Sequence, residues 1–454
     1  MGSLFAALQT SSNALDAFSR ALGVDQANIA NSATPGYASQ RAAILPIGLN
    51  TGDVVSLTSS GDLRADALVQ SASSQASYSQ TQADRLSPIN QLFDITGSSG
   101  ILAALQQFGA AFSNLSVTPN DATLGAAALN AAGNVASAFR SATASIDARR
   151  NQNTSDIRDT VSQINQLAGQ IRQLNVQANG TGQSDPVIDA SVRSALDQLS
   201  SLVDITIAKA PDGTISVLAG GQLPLVVGSQ SYAISADLSA APGSQISSAV
   251  GGIAPTAFSG HLGALLDTRN GVIAQLIGSA SAPGSLNILA AGFASRVNAL
   301  LSSGTTATGA SGVPIFSYDL TDATNAARTL TLNSSVTSAQ LGLASSAQSN
   351  GIANQLAALS GSDAAADQIG GLSPLALFGG IAASVGRQLS NARDASTIHQ
   401  ANLTDAQSAR QKQSGVSLDQ EAVTITALER SYQAAAKVIS IIDQLTTDTV
   451  NLIK

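Results

Sequence analysis

The sequence contains no cysteine and no tryptophan, one methionine, and only 3% aromatic residues. The absence of cysteine excludes disulfide bonds, thiolate nucleophiles and cysteine-ligated metal centres. Only two histidines are present, His261 and His399, so a three-histidine metal site is excluded and the most common general base is nearly absent. These absences disfavour most metalloproteins and many classes of enzyme.

Charged side chains are also scarce, at 11% of the residues against roughly 25% in an average globular domain. The chain has 21 Lys and Arg against 29 Asp and Glu, which gives a net charge of −8. This balance argues against a broad basic surface for nucleic acid or for an anionic membrane. A surface made largely of Ala, Ser, Gln, Asn and Thr is better suited to contact with other protein.

Long apolar runs are missing as well. The most apolar window, Leu372 to Val385, covers about 14 residues and contains Pro374, whereas a membrane span needs about 20. Residues 1–19 hold no Lys or Arg, and their apolar positions are spaced rather than continuous. The sequence therefore predicts no membrane insertion and, if the protein leaves the cell, a route without a cleaved signal peptide.

The length of 454 residues suggests two to four domains, and the two ends carry the clearest pattern. Apolar residues near the start fall on a ladder spaced alternately by four and three, in which Ser11 and Asp25 take two of the positions, and apolar residues near the finish follow the same spacing. The first set is Leu4, Leu8, Leu15, Phe18, Leu22 and Ile29, and the second is Ile425, Leu428, Tyr432, Ala435, Ile439 and Ile442, widened by Val438, Ile441 and Leu445. This spacing is typical of coiled-coil seams, which neither helix can bury alone.

The middle of the chain is predicted to be largely helical. Helical periodicity covers residues 66–92, 102–115, 121–178, 186–202, 262–277, 286–301 and 375–409. Within the third of these helices, the same spacing recurs at Ile157, Val161, Ile164, Ala168 and Ile171.

Two inserts change to the alternating period of a strand. Residues 203–207 and 215–217 flank the turn sequence of residues 210–214, which predicts a β-hairpin that residues 223–227 and 232–234 extend. Residues 313–343 are predicted as a second β-like insert, because Leu330 and Leu332 alternate with threonines.

No catalytic motif stands out. The dinucleotide-binding, Walker, nucleophile-elbow and zinc-protease patterns are all missing. The acidic pair Asp363 and Asp367 is interpreted as a solvated helix start, and Asp204 with Asp212 as turn chemistry. His261 and His399 are interpreted as ordinary surface or packing residues. The sequence thus predicts a protein that is not an enzyme, with no catalytic, cofactor-binding or metal site.

A motif follows the first predicted helix. Asn31 can end that helix, Pro35 prevents its continuation and Gly36 permits a turn. The full run, Asn28, Ile29, Ala30, Asn31, Pro35, Gly36 and Tyr37 within residues 28–37, resembles the N-terminal signature of the bacterial flagellar rod, hook and hook-associated axial proteins. Residues 414–421 and 431–439 resemble the C-terminal signature of the same group.

Within that group, the middle of the chain resembles the hook-associated protein 1 family. The resemblance is carried by residues 187–199, which lead into residues 203–205, and by residues 258–266. The chain departs from the usual pattern at residues 25–27 and 38–40, and it is short for the family, which implies a reduced outer domain.

The resulting expectation is a mainly α fold with β inserts, in which the terminal helices pair. We expect an axial coiled-coil domain from residues 1–64 and 414–454. A helical bundle is expected from residues 65–202, 259–303 and 347–413, with β-rich inserts at residues 203–258 and 304–346. The terminal ladders, from Leu4 to Ile29 and from Ile425 to Leu445, are the expected axial assembly interface.

The resemblance implies a structural hook–filament junction protein that polymerises between hook and filament and is needed for filament assembly. The implied partners are further copies of the chain in a ring-like oligomer, the hook protein, the second junction protein and a cytoplasmic export chaperone that binds the C-terminal helix. A flagellar hook protein or the second junction protein are alternatives within the same class. An alternative from another class is a secreted hydrolase carried on an axial scaffold.

Overall fold

The computed structural model describes residues 2–46, 53–94, 99–181, 185–210, 213–239, 243–248, 251–253 and 258–452. These residues form long α-helices with small antiparallel sheets between them. The expectation of a mainly α fold with β inserts is confirmed.

The helices are numbered in chain order. They are α1 (Gly2–Ala30), α2 (Leu63–Asn90), α3 (Gly100–Val117), α4 (Ala122–Thr181), α5 (Pro186–Leu202), α6 (Gly260–Asp267), α7 (Ala274–Ile277), α8 (Ser285–Ser303), α9 (Ala326–Thr329), α10 (Gly351–Ala358), α11 (Pro374–Ser414) and α12 (Leu418–Leu452). A π-helical segment, Thr268–Ile273, joins α6 to α7.

The strands are short and pair in antiparallel fashion. They are β1 (Gln40–Pro46), β2 (Asp53–Ser59), β3 (Ile205–Lys209), β4 (Ile215–Ala219), β5 (Leu223–Val227), β6 (Gln230–Ser231), β7 (Ile234–Asp237), β8 (Gln245–Ser248), β9 (Gly251–Ile253), β10 (Phe316–Ser317) and β11 (Thr331–Leu332). They form the sheets β1–β2, β3–β4–β5–β6, β7–β8–β9 and β10–β11.

The chain divides into two units, with boundaries inside α2, α4 and α11. Unit 1 comprises residues 1–75, 164–233 and 399–454, and unit 2 comprises residues 76–163 and 234–398. The predicted insert 203–258 contributes β3–β6 to unit 1 and β7–β9 to unit 2. The four-part division proposed from the sequence stays a prediction.

In unit 1, the sheet β3–β6 is tied to α4 by one buried side chain. Asn175 donates hydrogen bonds from Nδ2 to the carbonyl oxygens of Ile215 at 2.7 Å and Gly228 at 2.8 Å. Its Oδ1 accepts from the Ile215 amide at 3.1 Å. A buried amide that is satisfied in this way fixes the sheet in one position on the helix, because any shift would leave polar groups unpaired.

Unit 2 contains the aromatic core of the protein. Phe108 lies against Phe112 with a ring-centroid distance of 4.6 Å and meets Phe293 edge-on at 5.1 Å. Phe139, Phe378 and the aliphatic side chains of α3, α8 and α10 complete this core. An aromatic-poor chain thus places seven of its ten phenylalanines in one core, where they bury much apolar surface.

Most predicted helices are confirmed, although some bounds shift. The ladder of Ile157, Val161, Ile164, Ala168 and Ile171 is buried along α4, as its spacing requires. The helix predicted over residues 262–277 is interrupted by the π-helical segment. The hairpin of β1 and β2 was not predicted, because its strands lack the alternating large apolar residues that mark a half-buried strand.

The hairpin predicted across residues 203–217 is present as β3 and β4, with Pro211 and Asp212 of its turn lying outside the described residues. By contrast, strand structure in the predicted β-like segment 313–343 is limited to β10 and β11. Near β10, the side chain of Asn298 makes hydrogen bonds to the backbone that a longer strand pair would otherwise make. Asn298 Oδ1 accepts from the amides of Ile315 and Phe316, and its Nδ2 donates to the Phe316 carbonyl at 2.8 Å.

Candidate assembly surface at the paired chain ends

The two terminal helices pack on one another in unit 1. The last turn of α1 meets the first turn of α12, where Asn28 Nδ2 donates to Glu421 Oε2 at 3.2 Å, so the helices run antiparallel along their contact. The buried line on α1 is Ala17, Ala21, Asp25 and Asn28. Small alanine side chains on this line allow the two backbones to approach closely.

The predicted ladder on α1 flanks that buried line. Leu4, Leu15, Phe18 and Leu22 are half-buried, while Leu8 and Ile29 are exposed. The larger apolar side chains therefore border the contact with α12 and remain partly available to other surfaces.

On α12, most of the predicted ladder faces inward. Ile442 is buried, and Ile425, Leu428, Ala435 and Ile439 are half-buried. Tyr432 and Leu445 are exposed, and Leu445 shares an apolar strip with Val438 and Ile441. These three side chains are 49%, 46% and 50% exposed, so α12 presents a second apolar face that the described residues leave half exposed. We call Val438, Ile441 and Leu445 the outer α12 strip.

Asn28 is the hub of the N-terminal motif and is completely buried. Its Nδ2 donates to the Gln40 carbonyl at 2.8 Å as well as to Glu421, and its Oδ1 accepts from the Gln40 amide at 2.9 Å and the Tyr37 hydroxyl at 3.0 Å. One amide thus joins α1, the motif turn, β1 and α12.

The other motif residues shape the turn. Asn31 caps α1 by donating to the Ala27 carbonyl at 2.9 Å, while Ala30 and Pro35 are exposed. Gly36 has a φ of +77°, and a Cβ there would lie 2.7 Å from the Ala190 carbonyl oxygen, so only glycine fits. The motif residues therefore build the junction between α1 and α5, rather than a chemical centre.

A cluster of four alternating charges, absent from the sequence predictions, lies beside this turn. Asp66 Oδ2 contacts Arg193 Nε at 3.2 Å, and Asp66 Oδ1 lies 3.6 Å from Arg410 Nη1. Arg410 Nη1 also donates to both carboxylate oxygens of Asp197, at 3.1 and 2.9 Å. We call Asp66, Arg193, Asp197 and Arg410 the charge cluster.

The charge cluster is partly removed from water and lines a cleft of about 550 Å³ with the motif turn. Burial raises the pKa of Asp197, and Arg410 opposes that shift. Arg193 also donates from Nη1 to the Gly36 carbonyl at 3.1 Å, which ties the cluster to the motif. No local sequence pattern could have predicted the charge cluster, because its four residues belong to three segments that are far apart along the chain. The scarcity of charged residues was the one signal that pointed to a structural role for each of them.

The carboxyl groups between α1 and α12 have a different environment. Asp25 is 6% exposed, and its burial, followed by the negative charge of Glu421 and a hydrogen bond with Glu421, raises its pKa to about 6. Burial and Glu421 also raise the pKa of the nearby Tyr37 hydroxyl.

His261 and Asp367 have structural surroundings, and Asp367 is buried, so the interpretation of a solvated helix start is wrong for it. His261 Nδ1 lies 2.8 Å from Thr81 Oγ1, and burial, followed by the charge of Arg85, lowers its pKa. Asp367 pairs with Arg296 at 2.7 Å. Among the described residues no group of three His, Asp or Glu side chains could hold a metal ion, and no described helix is long and apolar enough to cross a membrane.

Replacing Asn28 by alanine should destabilise unit 1 by about 2–3 kcal/mol, since the Gln40 amide and carbonyl would lose their buried partner. Hydrogen exchange in β1 and α12 should accelerate accordingly. Asn31→Ala is the control, because this motif side chain makes local and exposed hydrogen bonds, donating to the Ala27 carbonyl and accepting from the Thr34 hydroxyl. It should cost under about 1 kcal/mol. Equal effects of the two variants would contradict the role of Asn28 as a hub.

Comparison with known proteins places the chain in a family. Residues 86–316 match the family model of the flagellar hook-associated protein FlgK helical domain. The chain belongs to the FlgK family. Residues 407–452 match the C-terminal model of the flagellar basal body rod FlgEFG proteins, which covers the end of α11 and all of α12.

A curated relative and a solved structure agree with this assignment. Flagellar hook-associated protein 1 of Bacillus subtilis (strain 168) is 24% identical over 99% of this chain and 99% of its own length. The flagellar hook junction protein FlgK from Burkholderia pseudomallei shares the fold, with a TM-score of 0.66 at 15% identity over 77% of this chain and 100% of that one. The resemblance identified from the sequence is confirmed, and with it a structural role in the bacterial flagellum.

Proposed function

We propose that this FlgK-family protein is the adaptor between hook and filament, that it polymerises there as a ring-like oligomer, and that filament assembly requires it. The observation that carries the proposal is the two-sided character of α12. One side packs on α1, while the outer α12 strip is apolar and left half exposed by the described residues. Contiguous exposed apolar surface of this kind is typical of a protein–protein interface.

The driving force is burial of apolar surface. A Leu or Ile side chain contributes about 1.5–3 kcal/mol when it passes from full exposure to full burial, and a half-exposed one correspondingly less. Several such side chains along α1 and α12 together favour assembly only when neighbouring copies cover most of them, because ordering and docking oppose it. This is the expected behaviour of the predicted interface from Leu4 to Ile29 and from Ile425 to Leu445.

The paired terminal helices and the outer α12 strip would also bind the remaining proposed partners. The hook protein and the second junction protein would contact the two ends of the ring. A cytoplasmic export chaperone would cover the outer α12 strip before assembly, since exposed apolar helices promote aggregation. Export without a cleaved signal peptide to the hook–filament junction completes the proposal.

Two observations favour the junction role over its alternatives. The large helical core of unit 2 argues against a hook protein, which would have a mostly β middle. In the second insert, Asp319 and Asp322 bond locally to the hydroxyls of Thr321 and Thr324 rather than converging on a cleft, which argues against the hydrolase.

Electron microscopy of a strain that lacks this protein tests the proposal. We expect hooks without filaments, and unassembled filament protein in the medium. Restoring the gene should restore filaments. Normal filaments on the deletion strain would refute the adaptor role, and loss of the hooks themselves would point to the alternative of a hook protein.

A further inference from the structure

Among the described residues, one carboxyl group between α1 and α12 has no positive partner. Asp25 is 94% buried in the contact, and its Oδ2 receives no hydrogen bond from the described residues. Asn28, one turn further along α1, holds Glu421 of α12 through Nδ2. Two carboxyl groups from opposite helices therefore share one interface, and two negative charges there would repel one another.

The described groups around Asp25 include no cation that would relieve that repulsion. Glu421 faces it from α12, and Tyr37 of the motif turn, which donates to Asn28 Oδ1, lies near Glu421. Each influence on Asp25 favours its neutral form: burial, the charge of Glu421, and the hydrogen bond that a protonated Asp25 makes with Glu421. A protonated Asp25 gains an O–H group that can donate to the Glu421 carboxylate, which satisfies the buried oxygen.

We propose that closing α1 against α12 takes up one proton, held between Asp25 and Glu421, so that the helix pair is a proton-operated latch. The direction follows from linkage. Because the pKa of Asp25 is raised from 3.8 to about 6 when the helices are paired, the proton binds more tightly in the closed state. The added stability is complete below about pH 4 and is lost as the pH rises through about 6.

The latch is a property of the single chain and is measured on the monomer, although its consequence for polymerisation rests on the proposed function. A loosened pair near neutral pH would leave α1 and α12 free to exchange their mutual contact for contacts with neighbouring copies. A tightened pair at lower pH would hold them closed.

Hydrogen exchange on the purified full-length chain between pH 5.5 and 8 tests the latch, with rates corrected for the intrinsic pH dependence of amide exchange. In the wild type, protection of α1 and α12 should fall as the pH rises. Asp25→Asn should slow exchange in both helices by roughly ten- to hundredfold at pH 7.5 and remove the pH dependence. Glu421→Gln, which also removes one charge, should change protection in the same direction.

Asp16→Asn is the matched control, because Asp16 is an exposed carboxylate on the same helix that pairs with Arg20 at 2.8 Å. It should leave the pH dependence intact. The proposal is overturned if Asp25→Asn fails to raise protection above the wild type at pH 7.5, however well protected the wild type is. Protection that depends on calcium and is removed by a chelator would show that a metal ion rather than a proton neutralises the pair, which also overturns it. Neither result alters the expected phenotype of the deletion strain.

Discussion

Replacing Ile441 by aspartate should abolish assembly of the protein into the flagellum while leaving the fold of the single chain unchanged. Ile441 is half-exposed at the centre of the outer α12 strip, so a charge there is solvated in the monomer. In an assembled ring, the same charge would be buried without a partner, which costs several kcal/mol and recurs in every copy. Electron microscopy of a strain that makes only the variant should show hooks without filaments.

Gln433→Asp provides the matched control, since Gln433 is an exposed residue on a different face of α12. It should support normal filaments. The unfolding curves of both variants should overlay that of the wild type. If the proposed chaperone binds the outer α12 strip, co-purification with it should be lost for Ile441→Asp and kept for the control. If a strain with Ile441→Asp assembles normal filaments, the outer α12 strip is not part of the assembly interface.

Replacing Arg410 by alanine should destabilise unit 1 by about 3–5 kcal/mol, because it leaves Asp66 and Asp197 facing one another with Arg193 alone to balance them. The loss should depend on pH. Arg410 opposes the raised pKa of Asp197, so without it that pKa rises further. A carboxyl group with a raised pKa destabilises the fold once ionised, so the variant should lose more stability as the pH rises.

Urea unfolding of Arg410→Ala should be followed by hydrogen exchange in α5 and α11, because a chain of two units is not assumed to unfold in one step. Arg64→Ala, an exposed arginine on the same helix as Asp66, serves as the control and should stay within about 0.5 kcal/mol of the wild type. Restoring stability with Asp197→Asn in the Arg410→Ala background would identify the unpaired carboxylate as the cause. If Arg410→Ala and Arg64→Ala behave alike, the charge cluster does not stabilise unit 1.

The sequence predicted the helices well where large apolar residues repeat over several turns. On α4, the ladder from Ile157 to Ile171 is buried as spaced, and on α12 four of the six ladder positions are half-buried while Ile442 is fully buried. On α1, the contact uses Ala17 and Ala21 instead of the larger neighbours Phe18 and Leu22. Periodicity marks the positions where large side chains recur, but close helix packing can favour small side chains. On α1 the buried positions therefore lie one residue before the predicted large ones.

The contacts around Asn28 and the charge cluster were less predictable than the helices, because their residues are far apart along the chain. The motif around Asn28 was visible as a helix stop, but its four hydrogen bonds depend on Gln40 and on Glu421, which no local pattern links. The charge cluster draws on α2, α5 and α11, so its members are ordinary single charges until the fold brings them together. The assembly role of the terminal ladders stays a prediction that the variants above test.

The contact between Asn28 and Glu421 joins residues that are 393 positions apart. A ribosome makes Glu421 long after Asn28, so the hub stays incomplete until residue 421 has been synthesised. A chain that ends before residue 421 can form α1 and β1, but its Asn28 side-chain amide lacks the hydrogen bond to Glu421. Fragments that end before residue 421 therefore lack both this contact and the outer α12 strip, so they could not present the proposed assembly surface.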